Sequence, residues 1–288
     1  MALCAQTADE PAPDSRDSLR VSVGGTYADG RYGQTVRTRI VTVPVSVKYT
    51  RGRVSVKVST AYVHLRGPGT LLDGSGSGAS SGGSGSGGGG VASEPEIENE
   101  GGSTGTSEGE GKGAGPVTGA TIMTPAPLRN RGGLGDTTVT LAYNLPLGAG
   151  LSLEPRSRIK LPTASARKGI GTGKVDVTLA ADLVGSFGPT TLYASVRRRF
   201  LGRTPRFALR DGWGFGAGAS RALGPVITLG ADYDWLQSAT PGRGPISEGT
   251  LWISARLSRQ LRLQAYGGTG FSARSADAIG GLTLVWRP

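Results

Sequence analysis

The stretch that decides the fold is VTVPVSVKYTRGRVSVKVSTAY, residues 41–62. Apolar side chains occupy alternate positions on both sides of the short turn TRGR, and serine, threonine and lysine fill most positions between them. A period of two is typical of a β-strand with one apolar and one polar face. The stretch therefore predicts a β-hairpin, with Lys48 and Lys57 on its polar face.

The same alternation recurs along the chain, and helical periodicity is almost absent. In GLSLEPRSRIKL, residues 150–161, leucine and isoleucine alternate with Glu154, Arg156, Arg158 and Lys160. Counting every such segment from about residue 18 to residue 287 gives about twelve strands. No run of about eighteen apolar residues is present, which excludes a transmembrane helix. The fold class predicted is all-β.

The connections between the strands alternate between short and long. The short ones are TRGR, PLGAG, SFGP, RALGP and SRQ, and the long ones are 29–34, 66–134, 163–173, 202–210, 238–248 and 273–278. Transmembrane β-barrels have short turns at one end, long loops at the other and an even number of strands. We therefore predict a single antiparallel transmembrane β-barrel of about twelve strands.

This prediction divides the chain into a barrel, an N-terminal segment and one long loop within the barrel. Residues 18–288 form the barrel, and residues 1–17 are an N-terminal segment with the small residues of a signal-peptide remnant. Residues 67–133 form one long, disordered external loop, because their Gly/Ser/Glu-rich composition cannot bury enough apolar surface to become ordered.

A bilayer suits this barrel better than water does. A closed soluble sheet of about twelve strands would enclose an interior too wide for its mostly small side chains to fill. In a membrane the apolar faces contact lipid, the charged faces line a wet lumen, and closure satisfies the backbone hydrogen bonds. The expected location is the outer membrane of a Gram-negative bacterium.

Composition argues against several functional classes. The net charge of +11 is spread along the chain instead of being clustered, which argues against a nucleic-acid partner. Cys4 and His64 are the only cysteine and histidine, so we expect no metal, no cofactor and no catalytic residue. The glycine-rich stretch 169–174 is one residue short of a phosphate-binding loop and precedes a strand, so it is expected to be a barrel loop.

Three blocks of sequence carry a family resemblance. They are residues 43–69, 130–145 and 158–183, with matching positions at Gly67, Pro68, Gly69, Gly133, Gly135, Asp136, Lys160, Pro162, Thr163, Gly169, Gly171, Thr172, Gly173 and Asp176. In these blocks the chain resembles outer-membrane β-barrel transporters of the "MetA-pathway of phenol degradation" type. The resemblance implies an outer-membrane barrel and says much less about the solute.

The charged residues suggest two sets of contacts. A lumen that selects small solutes, anionic or aromatic, would use the inward cations Lys48, Lys57, Arg156, Arg158, Lys160, Arg197 and Arg199. External cations that could contact lipopolysaccharide are Arg66, Arg129, Arg131, Arg167 and Lys168.

Two alternatives remain open at this point. The inward cations could form a salt-bridge network that stiffens the barrel and plugs it, or the function could lie in a surface interaction through the external loops. Membrane lipid is the expected environment in either case. The outer-membrane assembly machinery is a further expected partner, although the chain ends in Arg-Pro and its last aromatic residue is Trp286.

Overall fold

The computed structural model describes residues 17–33, 36–67, 130–203 and 209–288. Within them one short 3₁₀ helix, Ala166–Lys168, accompanies fourteen strand segments. The segments are β1 (Ser18–Gly30), β2 (Thr38–Arg51), β3 (Val54–Arg66), β4 (Asn130–Leu134), β5 (Thr137–Tyr143), β6 (Leu145–Gly148), β7 (Leu151–Leu161), β8 (Asp176–Phe187), β9 (Thr190–Phe200), β10 (Gly212–Ala222), β11 (Ile227–Leu236), β12 (Ile246–Arg256), β13 (Leu261–Gly270) and β14 (Ala278–Trp286).

The segments close into an antiparallel barrel of twelve strands. β4, β5 and β6 follow one another along a single crossing, in which β4 pairs with β3, β5 lies between β3 and β7, and β6 pairs with β7. Every other segment pairs with its neighbours in sequence, and β1 pairs with both β2 and β14. The predicted all-β barrel is therefore confirmed.

Alternation separates the two faces of each strand as the sequence predicts. On β2 the side chains of Val41, Val43, Val45 and Val47 are exposed on the outside, while Thr42 is buried inside. Exposed aromatic side chains lie near the strand ends, among them Tyr49, Tyr143, Trp213 and Trp286. An apolar outer band with aromatic residues at both edges is the surface that a bilayer requires. The protein is an outer-membrane barrel.

The two ends of the barrel differ. The end that we call the turn end has short turns between strands at 51–54, 148–151, 187–190, 222–227 and 256–261, and it also holds Ser18 and Trp286. The opposite end, the loop end, holds the longer connections. No helix within the described residues is long and apolar enough to cross a membrane.

The predicted loop over residues 67–133 overlaps a strand at its C-terminal side. Residues 130–133 belong to β4 (Asn130–Leu134), because the backbone of this segment pairs with residues 62–66 of β3. Residues 68–129, and the N-terminal segment up to residue 16, lie outside the described residues.

Candidate functional site

The interior of the barrel carries a dense set of charged side chains. Alternation and strand register place the cations Arg20, Lys48, Lys57, Arg156, Arg158, Lys160, Arg197, Arg199, Arg256 and Arg262 on the inner face. They place the carboxylates Glu154, Asp176, Asp182, Asp232, Asp234 and Glu248 on the same face. All seven cations predicted to line the lumen are therefore inward, and their role in selectivity stays a prediction.

Arg156 forms a buried ion pair across neighbouring strands. Its Nη2 lies 2.9 Å from Oδ1 of Asp182, and the two side chains are 3% and 0% exposed. Arg156 lies on β7, and Asp182 lies on β8 directly opposite Glu154. The guanidinium thus lies beside two carboxylates whose mutual repulsion it offsets.

Arg197 forms a second pair that reaches over a whole strand. Its Nη1 and Nη2 donate to the two carboxylate oxygens of Asp234 at 2.8 and 2.6 Å. Arg197 is on β9 and Asp234 on β11, so the pair crosses β10 at Gly214 and Gly216. A Cβ on Gly214 would lie only 2.5 Å from Arg197 Nε, and one on Gly216 would lie 3.3 Å from Asp234 Oδ1. The two glycines provide the space for this bidentate contact.

Lys160 ties the glycine-rich loop to the barrel wall. Its Nζ lies 2.6 Å from Asp176 Oδ2 and 3.2 Å from Asp136 Oδ2, and it donates to Thr172 Oγ1 at 3.2 Å. Asp136 also accepts a hydrogen bond from the backbone nitrogen of Ala164 at 2.9 Å. The ammonium group of Lys160 therefore connects β7 to Thr172 in the loop between β7 and β8 and to Asp176 at the start of β8. Through Asp136 it is also linked to Ala164 near the beginning of that loop.

That loop turns inward and is not a phosphate cradle. It holds the single 3₁₀ turn of the described residues, which ends at Gly169 with φ 63°, and β8 follows without an intervening α-helix. Ile170 is fully buried against inward side chains of β3 such as Val63 and Leu65. The loop thus covers part of the loop end of the lumen.

An apolar cluster occupies the same part of the interior. Its members are Ala28, Tyr32, Ile40, Ala61, Val63, Leu65, Ala164, Ile170, Trp252, Tyr266, Ala276 and Ile279. Burial raises the pKa of the Tyr32 phenol, which follows β1, and nearby carboxylates such as Glu248 raise it further. The phenol is therefore neutral at any physiological pH.

Five inward cations lie in one row of directly opposed residues that passes from strand to strand around the barrel. Arg20 lies directly opposite Lys48, and Lys48 lies opposite Lys57. The same row continues through Thr140 to Arg158, and through Thr178 to Arg199. We call these five cations the basic row. A cavity in the interior is lined by Arg158, Lys160, Asp176, Thr178, Arg199, Leu201 and Ala239.

The charged interior residues Arg20, Asp136 and Glu248 are not among those that the sequence predicts to face the lumen. Arg20 alternates with the outward Leu19 and Val21, so this pattern could have identified it. Asp136 precedes β5 and was noted only in the family motif, and Glu248 was placed in a predicted loop although it belongs to β12. Both lie at the ends of strands, where alternation is too short to be informative.

The predicted external cations fall in different places. Arg66, Arg167 and Lys168 are exposed at the loop end, and Lys168 Nζ donates to the Gly132 carbonyl at 3.3 Å. Arg131 is opposite the buried Leu65 and donates to the Gly67 carbonyl, so it faces the interior side of β4 instead of the outer surface. Arg129 lies outside the described residues.

The single histidine of the sequence does not face the interior. His64 is exposed on the outer face of β3, opposite Val41. Among the described residues, no group of three or more His, Cys, Asp or Glu side chains is placed to hold a metal ion.

Known structures share the fold of this barrel. An outer membrane channel from Pseudomonas putida F1 superposes with a TM-score of 0.60 at 12% identity, covering 98% of this chain and 99% of that one. The NanC porin superposes with a TM-score of 0.52 at 6% identity, covering 92% and 97%. No protein-family model and no curated protein matches the sequence. Identities this low establish a shared fold and nothing finer.

Proposed function

We propose that the protein is a passive channel for small solutes across the outer membrane. The observation that carries the proposal is the charged interior of a closed barrel, with inward cations from Arg20 near the turn end to Arg199 near the loop end. Side chains that only needed to fill a barrel would be apolar, because burying charges costs free energy. Water and a polar solute account for their presence.

The sequence resemblance to transporters of the phenol-degradation type agrees with this proposal. It extends the possible solutes to small aromatic molecules, which the apolar cluster near Ile170 and Trp252 would suit. The ion pairs of Arg156, Lys160 and Arg197 also fit the alternative of a stiffened, plugged barrel. A conductance measurement distinguishes an open channel from a plugged barrel.

The test is single-channel recording from the refolded protein in a planar bilayer. We expect discrete conductance steps, and we expect Thr178→Trp to reduce them because Thr178 lines the interior cavity. Leu179→Trp is the matched control, since Leu179 is the next residue and is 50% exposed on the outer face. Silence from a barrel whose folding is verified by heat-modifiable migration would overturn the channel and favour the plug.

A second, compatible role is contact with lipopolysaccharide. It is favoured by the exposed cations Arg167 and Lys168 at the loop end, because such side chains pair well with phosphates. We expect lipopolysaccharide to raise the melting temperature more than phosphatidylglycerol does, and Arg167→Gln with Lys168→Gln to reduce that difference. An equal response of wild type and variant would exclude these two residues.

We also propose that the chain is not an enzyme. The support is the position of His64, which projects from the outer face of β3, away from the charged interior. Hydrolysis of a short-chain p-nitrophenyl ester by the refolded protein, abolished in His64→Ala, would contradict this.

A further inference from the structure

Three arginines lie on the outer surface of the barrel at its loop end. Arg39 is the second residue of β2, Arg66 is the last residue of β3, and the two are directly opposite each other. Both face outward, because each alternates with buried neighbours such as Thr38 and Leu65. Arg37 precedes β2 and is also exposed. We call Arg37, Arg39 and Arg66 the arginine rim.

The register places this rim just beyond the aromatic edge of the lipid-facing band. Tyr62 is four residues before Arg66 on the same outer face of β3, and it is 51% exposed. Tyr27 is also exposed and lies two residues before Asp29 on β1, which is directly opposite Arg39. Aromatic side chains mark the boundary between hydrocarbon and headgroups on such barrels. The rim therefore lies at the depth of the lipid headgroups.

The position of the rim also determines which leaflet it contacts. Transmembrane β-barrels have their longer loops on the extracellular side, and the loop end holds the longer connections of this barrel. The extracellular leaflet of an outer membrane consists of lipopolysaccharide, whose lipid anchor carries phosphate groups. The rim thus meets a lipid of opposite charge.

Cations exceed carboxylates at the rim. Asp29 Oδ2 lies 3.3 Å from Arg37 Nε, and Asp29 Oδ1 lies 3.7 Å from Arg39 Nε. Arg37 Nη2 also donates to Asp277 Oδ2 at 2.6 Å. Arg66 forms no ion pair with another residue that the structure describes. The surplus positive charge therefore lies at the opposed pair of Arg39 and Arg66.

Two directly opposed arginines suit a phosphate group. Side chains at opposed positions have Cβ atoms about 4.5–5.5 Å apart, and like charges at this spacing repel each other. A phosphate between the two guanidinium groups removes that repulsion, and each guanidinium can offer two parallel N–H groups to its oxygens. Arg66 is exposed and the Arg39 side chain is 56% exposed, so a lipid headgroup can reach both.

We propose that Arg39 and Arg66 bind a phosphate group of lipopolysaccharide on the outer wall of the barrel, with Arg37 as an adjacent positive charge. This inference rests on the proposed contact with lipopolysaccharide and adds a second site to it. Arg167 and Lys168 belong to the connection between β7 and β8, whereas the rim belongs to β2 and β3. The acyl chains of the bound lipid lie along the apolar outer face of these two strands.

Binding of lipid A, the phosphorylated anchor of lipopolysaccharide, tests the site. Labelled diphosphoryl lipid A is titrated with the purified full chain in detergent, with EDTA present so that no divalent cation bridges phosphate and carboxylate. We expect Arg39→Gln with Arg66→Gln to weaken binding about tenfold, because it removes charge-assisted hydrogen bonds to the phosphate. Arg39→Lys with Arg66→Lys keeps the charge without the parallel N–H groups, so its affinity should be intermediate.

The same hairpin provides the matched control. Arg51 and Arg53 are exposed at the turn between β2 and β3, at the opposite end of these strands. Arg51→Gln with Arg53→Gln removes the same charge and should leave the affinity for lipid A unchanged. Lipid A without its phosphates retains the acyl chains, and it should bind the wild type no better than it binds the Arg39 and Arg66 glutamine variant.

The outcomes separate the rim from the wider contact with lipopolysaccharide. Unchanged affinity in the folded glutamine variant overturns the rim, and a loss in Arg167→Gln with Lys168→Gln then leaves the wider contact standing. An equal loss in the Arg51 and Arg53 control shows attraction by net charge and also overturns the rim.

A wild type that binds lipid A no better than phosphatidylglycerol overturns both proposals. If the glutamine variant does not migrate as a heat-modifiable barrel, the lysine variant decides, and wild-type affinity in that variant overturns the rim.

Discussion

Two walls of the same lumen arrange their inward cations differently. On the wall built by β7 to β11, Arg156 pairs with Asp182 and Arg197 pairs with Asp234, at distances of 2.9 Å or less. On the wall built by β1 to β3, Arg20, Lys48 and Lys57 lie directly opposite one another in one row. We call them the paired wall and the basic wall.

The difference shows that the inward cations of one barrel can have different roles. Removing one member of a buried pair leaves an uncompensated charge, so the paired wall contributes strongly to stability. On the basic wall the register brings like charges directly opposite each other. Mutations that break a buried pair on the paired wall should therefore cause the largest losses of stability.

The largest effect is expected from Arg197→Met on the paired wall. The Arg197 side chain is 1% exposed and donates to both carboxylate oxygens of Asp234, which lies directly opposite Glu248. Its loss leaves two buried carboxylates facing each other, and the free energy of unfolding should fall by about 3–5 kcal/mol. Urea unfolding in lipid vesicles, followed by tryptophan fluorescence, measures it.

The double variant Arg197→Met with Asp234→Asn is the control for that experiment. It removes both charges of the pair, so most of the lost stability should return. If the double variant is as unstable as the single one, packing and not charge accounts for the role of Arg197.

Gly214→Ala should affect the same pair more mildly. The added Cβ would lie 2.5 Å from Nε and 2.9 Å from Cγ of Arg197, whose guanidinium is fixed by Asp234. We expect a loss of about 1–3 kcal/mol from overpacking, measured by urea unfolding. The loss should shrink in the Arg197→Met background, because the obstructed side chain is absent.

Gly25→Ala is the matched control, because nothing lies within 4 Å of its added Cβ. A similar loss at both glycines would point to strand conformation instead of the room that Arg197 needs.

Sequence alone predicts which side chains face the lumen. A period of two is sufficient for that, and it placed Lys48, Lys57 and Arg158 inside. It cannot predict the partners, because register across a closed barrel depends on the shear of all twelve strands. The Arg197–Asp234 pair skips a strand, and only the glycines at 214 and 216 hint at the space required.

The loop end was harder to predict for a related reason. Lys160 binds Asp136 and Thr172, which come from two different connections, and Ile170 enters the lumen from a loop. Loops have no periodicity, so their direction is set by tertiary contacts. The row that joins Arg20 to Arg199 likewise becomes visible only once the register is known.

The smallest effect is expected at Arg198, between two inward arginines. Arg198 faces outward, with its guanidinium 5.1 Å from the Trp213 ring and 5.7 Å from the Phe200 ring. Arg198→Ala should cost about 0.5–1 kcal/mol through the lost cation–π contacts and should leave ion selectivity unchanged. A double-mutant cycle with Trp213→Leu measures the coupling. The three consecutive arginines 197–199 would then differ in their contacts: one forms an ion pair, one packs against an aromatic surface and one lies in the basic row. A change of ion selectivity in Arg198→Ala would contradict that division.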